Sequence, residues 1–145
     1  MDIGSGGGKT IHALYIITEY GKLYGIDYLK QAVKDSIRTN WEDVETCKVN
    51  IRQASVSDIP FPGNAFDIVT ACQTHYFWSD LENDVKEVFR VLKQDGKFMI
   101  LAELYNINYH MKSCKTTEEM KQLFFISVEF YENKNKGWLC IIGFK

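Results

Sequence analysis

The sequence predicts an α/β fold, with a mainly parallel, twisted sheet flanked by helices and an antiparallel hairpin at the C-terminal end. Apolar segments of strand length alternate with segments whose apolar residues recur at helical spacing. The last two strand-like segments, residues 125–131 and Trp138–Phe144, are joined by a short polar stretch that contains a glycine, which favours a hairpin. No repeat, linker or low-complexity tract interrupts the 145 residues, so we expect a single domain over residues 1–145.

The composition is that of a globular protein without a strong charge preference. Hydrophobic residues make up 46% of the chain and the formal net charge is −2, so we expect neither nucleic acid nor a membrane as a partner. No apolar segment is long enough to span a bilayer, and the N-terminus does not have the pattern of a secretory signal, which together predict a cytoplasmic protein. The cysteines lack metal-site or disulfide spacing and are expected to be free thiols; they are Cys47, Cys72, Cys114 and Cys140.

The first half of the chain predicts three strands and two helices. Only three residues precede the glycine-rich run, so we expect a truncated first strand. Apolar spacing predicts one helix over residues 9–20 and another over residues 28–40. Residues 23–27 form a short strand that ends in an acid, and residues 48–54 predict the third strand.

The second half predicts a fourth strand, a helix and a fifth strand before the hairpin. The fourth strand is a nearly continuous apolar run at residues 67–72. Ser79 and Glu82 have the spacing of a capping box that opens the helix. The segments that follow are a turn at residues 95–96, a strand at residues 97–104, an irregular stretch at residues 105–115 and a second helix start at residues 116–119.

The glycines and two acids are the first candidates for chemistry. Gly4, Gly6 and Gly8 stand between a strand and a helix, where the backbone must turn tightly and can approach a ligand, although a plain flexible connector has the same composition. Asp27 lies 19 residues after Gly8 at a strand end, where it can accept hydrogen bonds from ribose hydroxyls or simply be solvated. Asp58 precedes a loop stiffened by prolines and fits either ligand binding or turn capping.

Two other nucleotide-binding motifs fail on their spacing. Gly8-Lys9-Thr10 resembles the end of a phosphate-binding P-loop, but that motif needs a glycine five places before Gly8, where Ile3 stands. The nicotinamide-type pattern G-x-G-x-x-G fails because its third glycine would fall on Lys9 or on Ile11. The glycine run therefore belongs to neither motif.

Five short motifs occur in an order that is similar to that of class I S-adenosylmethionine-dependent methyltransferases, and most similar to their type 11 subgroup. They are Asp2-x-Gly4-x-Gly6-x-Gly8, Gly25-Ile26-Asp27, Asp58-Ile59-Pro60-Phe61-Pro62, Ala65-Phe66-Asp67-Ile68-Val69 and Phe89-Arg90-Val91-Leu92-Lys93-Gln94-Asp95-Gly96-Lys97. The resemblance covers residues 2–104, returns at residues 138–145, and implies a Rossmann-like methyltransferase fold. It departs from the family before the glycine run and at residues 105–115, so we expect a methyltransferase shortened at its N-terminus and in the acceptor lid.

The resemblance also implies which residues bind S-adenosylmethionine. The residues around its methionine part would be Asp2, Gly4, Ser5, Gly6 and Gly7. The residues around its ribose and adenine would be Asp27, Tyr28, Ser57, Asp58 and Ile59. Within this set, the Asp27 carboxylate would accept from the ribose hydroxyls and the Asp58 carboxylate from the adenine amino group. Gln73 and Thr74 would face the reacting centre.

The cluster after the fourth strand is where such enzymes meet the methyl acceptor, here an unidentified small molecule. His75, Tyr76 and Trp78 could box an apolar or cationic substrate, or simply cover the edge of the sheet. His75 is the candidate general base, because an imidazole can take a proton near neutral pH. No metal is expected, since the sulfonium already makes the methyl group electrophilic and the protein has only to align the acceptor.

The expected function is therefore transfer of a methyl group from S-adenosylmethionine to a small-molecule acceptor by in-line displacement, leaving S-adenosylhomocysteine. Two alternatives stay open. One is a non-catalytic cofactor-binding or interaction module on the same fold, and the other is a nicotinamide-dependent oxidoreductase. Apolar surface exposed on the N-terminal side would favour a homo-oligomer.

Overall fold

The computed structural model describes residues 1–18, 20–111, 119, 127–133 and 135–145. These residues form two compact units, Met1–Asp58 and Ile59–Lys145. Each unit has its own strands and helices, and the predicted site residues are divided between them.

The first unit is a parallel sheet of three short strands with helices in the connections. Its elements are β1 (Asp2–Ile3), α1 (Lys9–Ile17), β2 (Leu23–Asp27), α2 (Lys30–Thr39), α3 (Trp41–Glu45) and β3 (Val49–Gln53). β2 pairs in parallel with β1 on one side and with β3 on the other. Parallel strands need crossover connections, which the helices supply. The carboxyl ends of β1 and β2 therefore lie at one edge of the sheet, and each is followed by a predicted binding segment.

The core of the first unit holds α1 in place. Ile11 of α1 is fully buried with Val49 and Ile51 of β3, and Tyr15 packs against the same cluster. The spacing of four residues between Ile11 and Tyr15 places both side chains on one face of the helix. Complete burial of an isoleucine contributes about 2 kcal/mol. This packing fixes the N-terminus of α1 directly after the glycine loop.

The second unit contains a mixed sheet. Its elements are β4 (Phe66–Cys72), a 3₁₀ turn (His75–Phe77), α4 (Leu81–Val91), β5 (Leu92–Glu103), α5 (Leu104–His110), β6 (Ser127–Asn133) and β7 (Trp138–Phe144). β4 and β5 are parallel, whereas β7 runs antiparallel to both β5 and β6. Phe98 and Ile100 of β5 and Ile141 of β7 are buried and form the centre of its core.

The predicted fold class is confirmed. The strands predicted at residues 23–27 and Trp138–Phe144 have those bounds, and the strand predicted at residues 48–54 is Val49–Gln53. The C-terminal hairpin is formed by β6 and β7. The apolar patterns therefore located these three strands to within one residue at each end, whereas β5, predicted at residues 97–104, begins five residues earlier, at Leu92.

Two helices of the first unit differ from the prediction. α1 ends before residue 20, with Thr18 as its C-cap in an extended conformation; Thr18 Oγ1 donates to the Leu14 carbonyl at 2.6 Å. That carbonyl is the acceptor that the Thr18 N–H would use in a continuing helix. α3 was not predicted, because a helix of five residues is too short to show an apolar period in the sequence.

Two helices of the second unit, α4 and α5, also differ from the prediction. The N-cap of α4 is Asp80 rather than Ser79, and its carboxylate accepts from the Asn83 N–H at 3.2 Å. The stretch predicted to be irregular contains α5, whose asparagines and tyrosines have weak helix propensity. Ile107 of α5 is buried, so packing rather than local propensity stabilises this helix.

The turn predicted at residues 95–96 lies inside β5. Asp95 has a φ of 63°, and the pairing of β5 with β4 shifts from Phe66↔Leu92 to Ile68↔Lys97. The additional residues of β5 therefore interrupt its regular pairing with β4 at this point. Two other predictions, the helix start at residue 116 and the free thiol of Cys114, lie outside the described residues.

Candidate functional site

The loop between β1 and α1 has a backbone that requires glycine. Gly4, Gly6 and Gly8 have φ angles of 72°, 49° and 83°, in the left-handed region. A Cβ on Gly8 would lie 2.4 Å from Asn40 Nδ2 and 2.8 Å from the Ser36 hydroxyl. Asn40 Nδ2 instead donates to the Gly8 carbonyl at 3.1 Å, which ties the loop to the end of α2. Both conformation and space therefore demand glycine at position 8.

Main-chain hydrogen bonds hold the rest of this loop against β2. The N–H groups of Gly4 and Ser5 both donate to the Ile26 carbonyl, at 2.8 and 3.0 Å. The Gly8 N–H donates to the Ser5 carbonyl at 2.8 Å, which closes a tight turn before α1. The loop is thus shaped by the protein's own contacts.

Asp27 ends β2 with its carboxylate bonded to the loop. Oδ2 accepts from the Gly6 N–H and Oδ1 accepts from the Leu29 N–H, each at 2.9 Å. A carboxylate offers about four acceptor positions, so roughly two remain for a ligand. The predicted ribose acceptor therefore contacts the predicted methionine loop and retains acceptor capacity.

The N-terminus of α1 adds hydrogen-bond donors next to the same loop. The N-cap residue, Gly8, provides no side-chain cap, and the first turn of α1 contains no acid. A Cβ built on Gly7 would meet no heavy atom within 4 Å, so the space beside the loop is open. The first N–H groups of a helix lack intrahelical partners and attract anions. The loop can therefore accommodate a carboxylate.

Two polar side chains of the loop region are buried. Asp2 is 1% exposed and Ser5 is 5% exposed. Among the described residues, the Ser5 hydroxyl has no hydrogen-bond partner. Because an unpaired buried hydroxyl is costly, Ser5 is a candidate to bind a polar ligand group.

The predicted adenine-binding residues of the first unit lie at its surface. The Tyr28 residue is 73% exposed, and its carbonyl accepts from Gln53 Nε2 at 3.1 Å. The Asp58 N–H donates to the Ser55 carbonyl and the Ser57 N–H donates to Ser55 Oγ, each at 3.2 Å. These bonds close a turn that leaves Asp58 exposed.

Ile59 belongs to the second unit and is buried, with both of its main-chain polar groups hydrogen-bonded. Its side chain is in the core, its N–H donates to Glu87 Oε1 at 2.9 Å, and its carbonyl accepts from Arg90 Nη2 at 3.0 Å. Arg90 Nη1 also donates to the Phe61 carbonyl at 2.9 Å. The hydrogen bond from Arg90 holds the pKa of Glu87 below its ordinary value. The sequence analysis did not single out Glu87 or Arg90, although Arg90 lies in the motif of residues 89–97 that carried the resemblance.

Gln73 follows β4 with a φ of 59°, which is strained for a residue with a side chain. Its Oε1 accepts from the Tyr76 hydroxyl at 2.8 Å, from the Glu103 N–H at 3.3 Å and from Asn106 Nδ2 at 3.4 Å. A main-chain N–H can only donate, so the amide oxygen, and not the nitrogen, must face Glu103. The orientation of the Gln73 amide is therefore fixed, and its nitrogen is left as a donor for a ligand.

Thr74 and His75 lie at the 3₁₀ turn. The Thr74 carbonyl accepts from the Phe77 N–H at 2.9 Å, which forms the turn. His75 is 1% exposed, and neither of its ring nitrogens has a hydrogen-bond partner among the described residues. Burial lowers the pKa of His75 from 6.5 to about 4, so the imidazole is neutral at pH 7 and is a weaker base than in water. A general-base role for His75 stays a prediction.

A pocket of about 280 Å³ is formed by the 3₁₀ turn, the start of α4 and the end of α5. Its described lining residues are His75, Tyr76, Trp78, Ser79, Leu81, His110 and Met111. The three predicted acceptor residues therefore share one pocket. The sequence analysis missed the contribution of His110 and Met111, which reach the pocket only because residues 104–110 are helical.

In the part of the chain that the structure describes, no group of three or more His, Cys, Asp or Glu side chains is placed to hold a metal ion. No helix in that part is both long and apolar enough to cross a membrane. Cys47, Cys72 and Cys140 are in no disulfide bond.

Sequence comparison relates the chain to known proteins. A family model described as a methyltransferase domain matches residues 1–100. The uncharacterized methyltransferase YcgJ of Bacillus subtilis is 36% identical over 102 residues, which are 70% of this chain and 39% of YcgJ. The mitochondrial arginine-hydroxylase NDUFAF5 of Rattus norvegicus is 36% identical over 99 residues, which are 68% of this chain and 27% of that protein. These matches span less than half the length of either relative.

Solved structures share the fold. The crystal structure of YcgJ matches with a TM-score of 0.76 at 20% identity and covers 99% of this chain and 90% of that one. A SAM-dependent methyltransferase from Aquifex aeolicus matches with a TM-score of 0.74 at 18% identity, over 99% of this chain and 79% of that one. At these identities the structural likeness shows the fold alone.

Proposed function

The chain belongs to the type 11 methyltransferase family, and from that membership we propose that it transfers a methyl group from S-adenosylmethionine to a small-molecule acceptor. The observation that carries the proposal is the preformed loop after β1. There the Gly6 and Leu29 N–H groups hold the Asp27 carboxylate next to an open glycine turn. A loop of this shape, with an acid at its side, suits a ligand that combines an amino acid with a ribose.

Asp27 is proposed to bind the ribose. Each of its carboxylate oxygens accepts one main-chain hydrogen bond, which leaves roughly one acceptor position per oxygen for the two adjacent ribose hydroxyls. A hydrogen bond to a charged acceptor contributes about 1.5–3 kcal/mol. Asp27 is therefore the residue whose loss should weaken cofactor binding most clearly.

The glycine loop is proposed to bind the methionine part. The N-terminus of α1 is suited to its carboxylate, because helix N–H groups there are unpaired and no acid stands in the first turn. The buried Ser5 hydroxyl can satisfy its own hydrogen bond on the same ligand group. Asp2, buried at the start of the loop, is proposed to support the loop or bind the ligand's ammonium group. Gly6 and Gly7 allow close approach, since a Cβ on Gly7 would meet no heavy atom within 4 Å and one on Gly6 only the Gly4 carbonyl oxygen at 4.0 Å.

The adenine is proposed to lie against Tyr28, with its amino group donating to the exposed Asp58 carboxylate. Ser57 shares the turn of Asp58 and is proposed to frame the ring with it. The polar groups of Ile59 are already bonded to Glu87 and Arg90, so Ile59 contributes by fixing the chain next to Asp58 rather than by a hydrogen bond to the ring.

S-adenosylmethionine, when bound, supplies a methyl group on a sulfonium, so the bond to sulfur breaks as a lone pair of the acceptor forms the new bond to carbon. Gln73 and Thr74 are proposed to face that centre, where the fixed Gln73 amide can orient the acceptor. His75 is proposed to take a hydrogen bond from the acceptor. A proton that the acceptor loses passes on to water, because an imidazole with a pKa of about 4 does not retain it at neutral pH.

Thermal unfolding in the presence of S-adenosylhomocysteine or NAD tests this proposal. A ligand that binds the folded chain raises its melting temperature in proportion to the logarithm of ligand concentration. We expect a rise with S-adenosylhomocysteine and none with NAD. The absence of a rise up to about 1 mM S-adenosylhomocysteine, or a rise with NAD alone, would contradict the proposal.

Turnover separates methyl transfer from cofactor binding alone. One relative is named a hydroxylase, so family membership and cofactor binding do not by themselves establish the reaction. Release of S-adenosylhomocysteine that depends on an added acceptor, measured over a panel of small molecules, would establish it. Cofactor binding without turnover on any acceptor would favour a non-catalytic module.

A further inference from the structure

The pocket of about 280 Å³ in the second unit has a size that limits its ligand. Pockets for whole drug-sized molecules begin at about 300 Å³. A site of this volume has room for one ring or two fused rings. A compact, ring-shaped part of a ligand therefore fits the pocket.

Flat aromatic surfaces make up much of its wall. Tyr76 and His110 stack with their centroids 5.3 Å apart and their planes 10° apart. Trp78 stacks on Phe98 with a centroid distance of 6.2 Å and an angle of 9°. Phe98 is fully buried, so Trp78 stacks on a ring of the core. Aromatic rings in a pocket lining favour a planar ligand that can lie parallel to them.

The described lining residues carry no permanent charge. They include no carboxylate and no lysine or arginine. Burial lowers the pKa of His75 to about 4 and raises the pKa of Tyr76, so both side chains are neutral at pH 7. A cation in this pocket would find no carboxylate in the lining, because Glu103 acts on Tyr76 only from outside it, and one face of Tyr76 and of Trp78 is already covered by another ring. The described walls therefore favour an uncharged guest.

The pocket also offers a directed hydrogen-bond acceptor. The Tyr76 hydroxyl donates its proton to Gln73 Oε1 at 2.8 Å, and that oxygen can only accept. The Tyr76 oxygen therefore has no proton to give, and, beside the hydrogen bond that it receives from the Asn106 amide, it retains a position to accept from a ligand. His75 also lines the pocket, with both of its ring nitrogens buried. A ligand therefore binds most tightly here if it carries a hydrogen-bond donor such as a hydroxyl group.

We propose that this pocket binds an uncharged, planar ring that carries a hydroxyl group, as in a phenol, and that this ring is the part of the methyl acceptor that the protein recognises. The proposal rests on the proposed function for its biological meaning. The binding preference itself follows from the pocket.

Three matched probes test the proposal in saturation-transfer NMR titrations of the full chain. They are 4-methylphenol, 4-methylanisole, which lacks the donor, and trimethylphenylammonium, which is a cation. One net hydrogen bond corresponds to about a threefold to tenfold difference in Kd. We expect 4-methylphenol to bind more tightly than either of the others by a factor in that range.

Tyr76→Phe tests the named acceptor atom, because it removes the hydroxyl and keeps the stacked ring. It should abolish the preference for 4-methylphenol over 4-methylanisole. Tyr131→Phe is the matched control, since the Tyr131 hydroxyl is also hydrogen-bonded, to Glu129 at 2.8 Å, but lies on β6 outside the pocket lining. It should leave the preference unchanged. Circular dichroism confirms that both variants fold.

The other outcomes distinguish a failure of this proposal from a failure of the proposed function. Equal or tighter binding of trimethylphenylammonium would show a cation box, and equal binding of 4-methylanisole would remove the role of the hydroxyl group. No binding of any probe by a protein that S-adenosylhomocysteine stabilises would overturn this inference and leave the proposed function standing. Selective binding of 4-methylphenol without any effect of S-adenosylhomocysteine would support the pocket's preference and contradict the proposed function.

Discussion

Alanine at position 8 should destabilise the protein more than alanine at neighbouring glycines of the same loop. Gly8 has a φ of 83°, and the left-handed region costs a residue with a side chain about 1–2 kcal/mol. Its new Cβ would also lie 2.4 Å from Asn40 Nδ2 and 2.9 Å from Ser36 Cα. Overpacking of that kind costs about 1–3 kcal/mol. We therefore expect Gly8→Ala to lower the free energy of unfolding by about 2–5 kcal/mol.

Two glycines of the loop provide graded controls. Gly6 has a φ of 49° but its Cβ would meet only the Gly4 carbonyl, at 4.0 Å, so Gly6→Ala should cost about 1 kcal/mol from backbone conformation alone. Gly7 has neither a positive φ nor a close neighbour, so Gly7→Ala should be neutral or stabilise by about 0.4–1 kcal/mol through the unfolded state. The order of the three variants in free energy of unfolding separates the cost of a steric clash from the cost of the left-handed backbone conformation.

Urea denaturation followed by far-UV circular dichroism measures all three variants in one assay. The reasoning requires Gly8→Ala to be the least stable, Gly6→Ala intermediate and Gly7→Ala closest to wild type. A free energy of unfolding for Gly8→Ala within about 0.5 kcal/mol of that for Gly7→Ala would refute it, because the contact with the end of α2 would then not exist in solution.

Two further predictions concern side chains of the second unit. Arg90→Gln removes the guanidinium that donates to the carbonyls of Ile59 and Phe61 and should lower the free energy of unfolding by about 1–3 kcal/mol. Arg38→Gln removes a side chain that is 80% exposed and should lower the free energy of unfolding by less than about 0.5 kcal/mol in the same urea assay. The pKa of His75 is lowered to about 4 from 6.5, so the unfolded chain binds the proton first and stability should fall as pH drops from 6.5 towards 4. His75→Gln should remove up to about 3 kcal/mol of the loss in free energy of unfolding between pH 6.5 and pH 4. If the free energy of unfolding of His75→Gln depended on pH as that of wild type does, the burial of His75 would be contradicted.

The sequence was sufficient for the features that depend on neighbouring residues. Glycines at alternate positions predicted the loop at Gly4–Gly8, and the strand pattern placed Asp27 at the end of β2, where its carboxylate meets that loop. Alternating or continuous apolar residues located β2 and β7. Such a pattern arises within each strand, because the buried side chains of a strand recur along its own sequence.

The features that depend on distant residues could not be predicted in this way. The residues of α5 have weak helix propensity, and the helix is stabilised by burial of Ile107, so its sequence does not predict a helix. The orientation of the Gln73 amide is set by Glu103, 30 residues away, and the neutrality of His75 follows from burial in the folded chain. Arg90 carried part of the family resemblance, but its bonds to Ile59 and Phe61 appear only in the structure.

The affinity for S-adenosylhomocysteine, measured by isothermal titration calorimetry, tests the central claim most directly. Asp27→Asn removes the charge that is proposed to hold the ribose. Asp35→Asn is the matched control and removes a half-buried acid of α2 that pairs with Arg38 at 2.9 Å. We predict that wild type and Asp35→Asn bind with similar Kd and that Asp27→Asn binds about tenfold to a hundredfold more weakly. Equal Kd for all three proteins, or no binding by wild type up to about 1 mM, would contradict the assignment of this loop as the cofactor site.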